Sequence, residues 1–126
     1  MKFKTLMTIK ALVCLGFGPL LLFFPAWLLN LLGMAFSSGA ALTSREYGAT
    51  LIGNLLLTWL ARNIDKGRAR QAICWDLFAY DLIGFVATLV FLFSGMLNPL
   101  GWGIAFVYLF FTLGFGWFLI PQKKAA

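Results

Sequence analysis

Ser44–Asn63, SREYGATLIGNLLLTWLARN, is the stretch that decides the fold. A polar residue recurs at every fourth position: Glu46, Thr50, Asn54, Thr58 and Arg62. On an α-helix a four-residue step turns about 400°, so these side chains wind slowly along one side. Thr50, Asn54 and Thr58 fall within about 80° of one another, a stripe on an otherwise apolar cylinder. In a bilayer such a helix turns its stripe inward, and other apolar segments must pack around it.

Composition places those segments in a membrane. The 126-residue chain is 62% hydrophobic and 11% charged, against about 25% charged in ordinary soluble domains. A single domain of this length has too little interior to hide so much apolar surface. The net charge of +6 does not point to nucleic acid, because the basic residues sit in short clusters between apolar runs and form no extended face. They read as topology determinants and lipid-headgroup contacts.

On the N-terminal side, Lys2, Lys4 and Lys10 precede an uncharged run from Ala11 to Ser44. Ala11–Leu32 exceeds the roughly 7–15 apolar residues of a signal peptide and matches the roughly 20 needed to span a bilayer. It is expected to be a retained helix kinked at Pro19 and Pro25. Residues 33–43 read as a loop, with Thr43 or Ser44 capping the second helix and Glu46 in its first turn. On the other side, Asp65–Arg70 is a basic loop and Gln71–Gly95 a third apolar segment. Ser94–Pro99 is a turn by composition, and Leu100–Ile120 is a fourth segment closed by Pro121.

The expected fold is therefore all-α: an integral membrane four-helix up-down-up-down bundle in one domain. Its helices fall near 9–32, 44–64, 71–95 and 99–120. All of the ten Lys and Arg except Arg45 then lie on one side, Lys123 and Lys124 of the tail included. The positive-inside rule makes that side cytoplasmic and holds both termini there. Ala49-x-x-x-Gly53 and Gly84-x-x-x-Thr88 are candidate close-packing motifs. Gly16–Pro19 in the first helix echoes Gly114–Trp117 in the fourth, a coincidence or a pair of matched packing points rather than an inverted repeat.

Absences narrow the chemistry. The chain has no His, hence no imidazole haem ligand, no His-based zinc site and no His-based triad. Cys14 and Cys74 form no CxxC motif and read as packing residues on a reducing side. No metal and no cofactor is expected. The informative residues are acids. A carboxylate at mid-membrane costs about 2.5–3.5 kcal/mol, whereas each Leu, Ile, Phe or Val returns about 0.3–0.6 kcal/mol. Asp76 is near the cytoplasmic edge, within reach of headgroups or Arg62. Asp81 lies about 16 Å in and needs a partner or a proton. Depth matching gives an intramembrane polar core of Asn54, Asp81, Tyr108 and Thr112, with Arg45, Glu46, Thr58, Arg62 and Asp76 as secondary candidates. Such a core either glues helices together or binds a ligand or proton.

Arg45-Glu46-Tyr47-Gly48-Ala49-Thr50, followed by Gly53 and Trp59-x-Ala61-Arg62, resembles small four-helix bacterial membrane proteins, among them DoxX-like proteins and neighbouring families of unknown function. The resemblance covers about twenty residues and the topology. It implies an association with membrane redox or quinone-linked systems. The function expected is that of a bacterial inner-membrane accessory, assembly or interaction subunit without catalysis. The alternative is a small-molecule or proton-coupled transporter built around Asp81. Expected partners are the lipid bilayer and a larger membrane complex or further copies of the chain, not nucleic acid.

Overall fold

The computed structural model describes residues 2–120, so Pro121 and the basic tail lie outside the described residues. Five α-helices follow in order: α1 (Phe3–Phe23), α2 (Pro25–Leu31), α3 (Ser38–Leu60), α4 (Arg68–Phe93) and α5 (Gly101–Leu119). No strand occurs among the described residues. The class is all-α.

Several boundaries move, each for a local reason. The helix expected from residue 9 begins at Phe3, because Phe3, Leu6 and Met7 are buried in the main apolar cluster with Cys74, Leu77, Phe111 and Phe115. Packing carries α1 through its basic segment. Pro19 stays inside α1, while the break comes at Phe24 (φ −131°, ψ 50°), as the ring of Pro25 disfavours helical geometry in the residue before it. Pro25 then opens α2, a position where its missing N–H costs nothing. The 33–43 loop is shorter than expected. Ser37, not Thr43 or Ser44, caps α3, its Oγ accepting from Ala40 N at 3.1 Å. Arg45 and Glu46 consequently lie two turns inside α3, both exposed. The turn itself is made at Gly33, whose φ of +80° suits glycine.

The helices pair, α1 with α3 and α4 with α5. A Cβ on Gly48 would stand 2.7 Å from both Gly18 O and Leu22 N, so the backbones of α1 and α3 touch there. Gly53, the expected contact glycine, has open surroundings, as has Gly16. In the second pair Gly84 lies under the Tyr108 ring and Gly116 against Phe78. Small residues set the approach in both pairs.

Between the pairs, contact runs through α1 and α5, where Leu6 fills the space over Gly114. At one end Arg70 lies over the rings of Phe3 and Phe118, so the starts of α1 and α4 meet the end of α5. At the other end Asn98 ties the two connections together: its N donates to Leu32 O at 3.0 Å and its Nδ2 to Leu31 O at 2.7 Å.

Three helices are long and apolar enough to cross a membrane: α1, α4 and α5, with mean hydropathies of 2.0, 1.9 and 1.7 over their best stretches. The 23-residue α3 has the length, but its first half is diluted by Ser, Gly, Thr, Arg and Glu. Large apolar side chains face outward on all of them, including Leu12, Leu56, Ile83 and Phe106.

The glycine crossing yields a paired test. Gly48→Ala should destabilise the fold by about 1–3 kcal/mol, because backbone atoms cannot yield. Gly53→Ala, at an open helical position, should be neutral or stabilising by up to about 1 kcal/mol. Equilibrium unfolding of the two variants checks the contrast, and equal effects would contradict the crossing.

Candidate functional site

The inner face of α4 is Cys74, Leu77, Asp81 and Thr88, spaced as a helix requires. Asp81 is thirteen residues beyond the start of a 26-residue helix, about 20 Å along it. Its side chain is fully buried. The inner face of α1 is Phe3, Met7, Lys10, Cys14 and Gly18. Lys10 is the one charge on that stripe, and its Nζ donates to Asp81 Oδ1 at 2.6 Å. The lysine side chain is 4% exposed and the aspartate 0%. It is the only ion pair among the described residues.

Lys10 therefore leaves the group of edge residues to which its place at the head of the apolar run assigned it. Two rings complete its surroundings. Nζ lies 4.8 Å from the Tyr80 ring centroid and 4.6 Å from that of Phe111, distances at which a ring face attracts a cation. Asp81 is less completely served, since its Oδ2 is buried without a hydrogen-bond partner.

Tyr80, adjacent to Asp81 in the chain, leads to a second cluster. The Tyr47 hydroxyl of α3 is hydrogen-bonded to the hydroxyls of Tyr80 on α4 and Tyr108 on α5. All three tyrosines of the chain thus converge on one point. Each hydroxyl has one proton to donate, so Tyr47 can donate to one neighbour and accept from the other. The rings pack edge-on or tilted, Tyr47 to Tyr80 at 6.4 Å and Tyr80 to Tyr108 at 6.2 Å between centroids. Tyr80 joins the two clusters, its face under the ammonium of Lys10 and its hydroxyl on Tyr47.

The expected polar core is partly assembled and partly rearranged. Asp81 bonds to Lys10, where Asn54 or Tyr108 was expected. Tyr108 is at the tyrosine junction. Thr112 is buried, yet its Oγ1 donates to Tyr108 O within its own helix at 2.7 Å. Thr58 likewise is buried and donates to the carbonyl of half-buried Asn54 at 2.7 Å. Both threonines satisfy themselves locally and leave no free hydroxyl proton for a neighbour. Thr50 faces outward: Gly48, Leu51 and Thr58 mark the buried face of α3, and a stripe that winds between turns cannot follow it.

Apart from Thr58, the secondary candidates are peripheral. Arg45, Glu46 and Asp76 are exposed. Arg62 lies 3.9 Å from the Trp59 ring centroid and donates to the Trp59 carbonyl, and it forms no ion pair with Asp76. Lys10, Tyr47 and Tyr80 were missed. The 3–4 spacing Phe3, Met7, Lys10, Cys14 carried the signal for Lys10, once the helix is extended to Phe3. Nothing in the spacing singles out Tyr47, because the glycine expected at the contact is Gly53 and not Gly48 beside it.

Chemically, the site offers a closed ammonium–carboxylate pair and a three-hydroxyl relay. Among the described residues no three His, Cys, Asp or Glu gather as metal ligands, and Cys14 and Cys74 are buried free thiols. No family model, curated protein or solved structure matches the chain.

A buried ion pair is costly to break from one side, because the remaining charge is left unpaired in a low-dielectric interior. Lys10→Met should destabilise by about 3–5 kcal/mol, and Lys10→Met with Asp81→Leu should recover most of that loss. A double-mutant cycle on unfolding free energies measures the coupling. Additive effects would mean that the two side chains do not interact.

Proposed function

We propose that this chain is an integral membrane protein whose α1, α3, α4 and α5 span a bacterial inner membrane as an up-down-up-down bundle. Both termini are cytoplasmic. It serves as a non-catalytic accessory, assembly or interaction subunit. The apolar lengths of α1, α4 and α5 support the membrane reading. For α3 the support is its glycine contact with α1, which brings the two backbones together. The orientation rests on the charge distribution: Lys4, Lys66, Arg68 and Arg70 gather at one end and Arg45 lies elsewhere.

The observation that carries the interaction role is the closure of the Lys10–Asp81 pair, 4% and 0% exposed. A transport site must be reached by its cargo from each side in turn. This pair is covered and its charges compensate each other, which suits a strut between helices. The outward faces remain for lipid and for a partner protein. The resemblance to DoxX-like proteins makes a membrane redox complex the kind of partner to seek.

A second reading, a proton-coupled transporter, draws on the unpartnered Asp81 Oδ2 and the adjoining tyrosine hydroxyls. The two readings separate in one comparison. The Lys10→Met, Asp81→Leu double variant should keep its association with copurifying membrane partners in mild detergent. Proton flux in vesicles should be indistinguishable from empty controls for wild type and variant alike. Flux through the wild type that vanishes in folded Asp81→Asn would favour transport.

Topology is tested separately. Reporter fusions after Gly39 and after Met96 should read external, and one after Gly67 cytoplasmic. A cytoplasmic signal at Gly39 would contradict the four-span reading.

A further inference from the structure

Arg70 is unusual among the charged side chains. It is half-buried, with its guanidinium 4.1 Å from the Phe3 ring centroid and 5.3 Å from that of Phe118. No carboxylate among the described residues pairs with it. One of its N–H groups reaches the Cys74 thiol, and since a guanidinium carries five N–H donors, others remain to serve an anion. The cation is thus held in position by two rings and a thiol.

The same end of the molecule is strongly basic. Lys2, Lys4, Lys66 and Arg68 are exposed there, and Asp65 is the one acid in the α3–α4 connection. Beside the ring of Phe118 a shallow groove runs along α5, lined by Phe110, Leu113, Gly114, Trp117 and Phe118. Leu113 and Trp117, both exposed, form its apolar walls. Phe118 belongs to both features. An anion-seeking group and an apolar channel therefore adjoin at one end of the helices.

We propose that this corner binds an anionic phospholipid, its phosphate on Arg70 and an acyl chain in the α5 groove. Arg70 matches a phosphodiester through paired N–H donors. The surrounding Lys and Arg side chains select negative headgroups over zwitterionic ones. The groove distinguishes a lipid from a free phosphate, which has nothing to place there. The proposal rests on the membrane reading and adds to it a ligand class and a location.

The test uses the full chain purified in mild detergent, with retained lipid counted by native mass spectrometry. Phosphatidylglycerol and phosphatidylcholine with identical acyl chains are offered in competition. Phosphatidylglycerol should be retained preferentially. Arg70→Gln should weaken its retention about fivefold, the equivalent of one surface cation. Arg45→Gln, away from this corner, should leave it unchanged. Because Arg70→Gln also removes a ring contact, Leu113→Trp supplies a second variant: it fills the groove from an exposed position and should lower retention with Arg70 intact. Equal retention of the two lipids would overturn the proposal. So would displacement of phosphatidylglycerol by excess inorganic phosphate, the mark of a free-anion site. A carbonate wash of the membranes keeps the two claims apart. Protein that stays embedded but shows no lipid preference refutes the lipid site alone, whereas protein that washes off refutes the membrane reading and this proposal with it.

Discussion

A carboxylate buried halfway along α4 has to be compensated, and the position of α1 follows from that requirement. Asp81 reaches no water, so its charge needs a cation held at the same level by a neighbouring helix. Lys10 meets the need only if α1 begins early enough to carry it inward and turns its Phe3–Met7–Cys14 face to α4. The ion pair thereby fixes both the rotation and the axial register of α1 against α4. An apolar seam alone would tolerate slippage by a turn, since one Leu or Phe replaces another at modest cost. A lone pair of charges does not.

Two kinds of contact divide the work. Within each helix pair glycines set the approach: Gly18 and Gly48 bring the backbones of α1 and α3 together, whereas Gly84 and Gly116 make room for the Tyr108 and Phe78 rings between α4 and α5. Between the pairs the backbones stand further apart, and long side chains cross the gap. Lys10 spans it to Asp81, Tyr47 spans it to Tyr80 and Tyr108, and Phe111 and Phe115 stack within the apolar cluster beside them. The polar links lie among apolar neighbours, where an unmade hydrogen bond is costly and a made one is correspondingly specific. The unfilled Oδ2 of Asp81 is the exception within this network.

Much of this order was legible in the sequence. Length and apolar runs gave helices in the right order, but Pro19 and Pro25 both read as kinks within one helix, and only Pro25 separates two, α1 and α2. Asp81 was identifiable as a charge in need of a partner. The partner was not, because Lys10 stands at the head of an uncharged run and reads as an edge residue. A helix boundary drawn where the apolar run begins ignores the packing of Phe3, Leu6 and Met7, which extends α1 past its lysines. The same error of scale hid Ser37 as the cap of α3. The segment after it is rich in Gly and Ser, and only the tertiary arrangement decides whether such a segment turns or coils. The every-fourth-residue stripe of α3 was real but winds about 40° at each step, so only its lower part, Thr58, reached the buried face. Tyr47 and Tyr80 lie off that stripe, and no local pattern announces a meeting of three hydroxyls from three helices.

The central claim is that Lys10 and Asp81 form a closed, charged pair inside the protein. Magnetic-resonance distance measurement in lipid bilayers tests it most directly, with 15N in the lysine side chains and 13C in the aspartate carboxyls. One lysine nitrogen should lie within about 4 Å of one carboxyl carbon, carry the shift of an ammonium, and exchange slowly with water. That signal should vanish in Lys10→Met. A spectrum in which every lysine exchanges freely and none couples to a carboxyl would contradict the account.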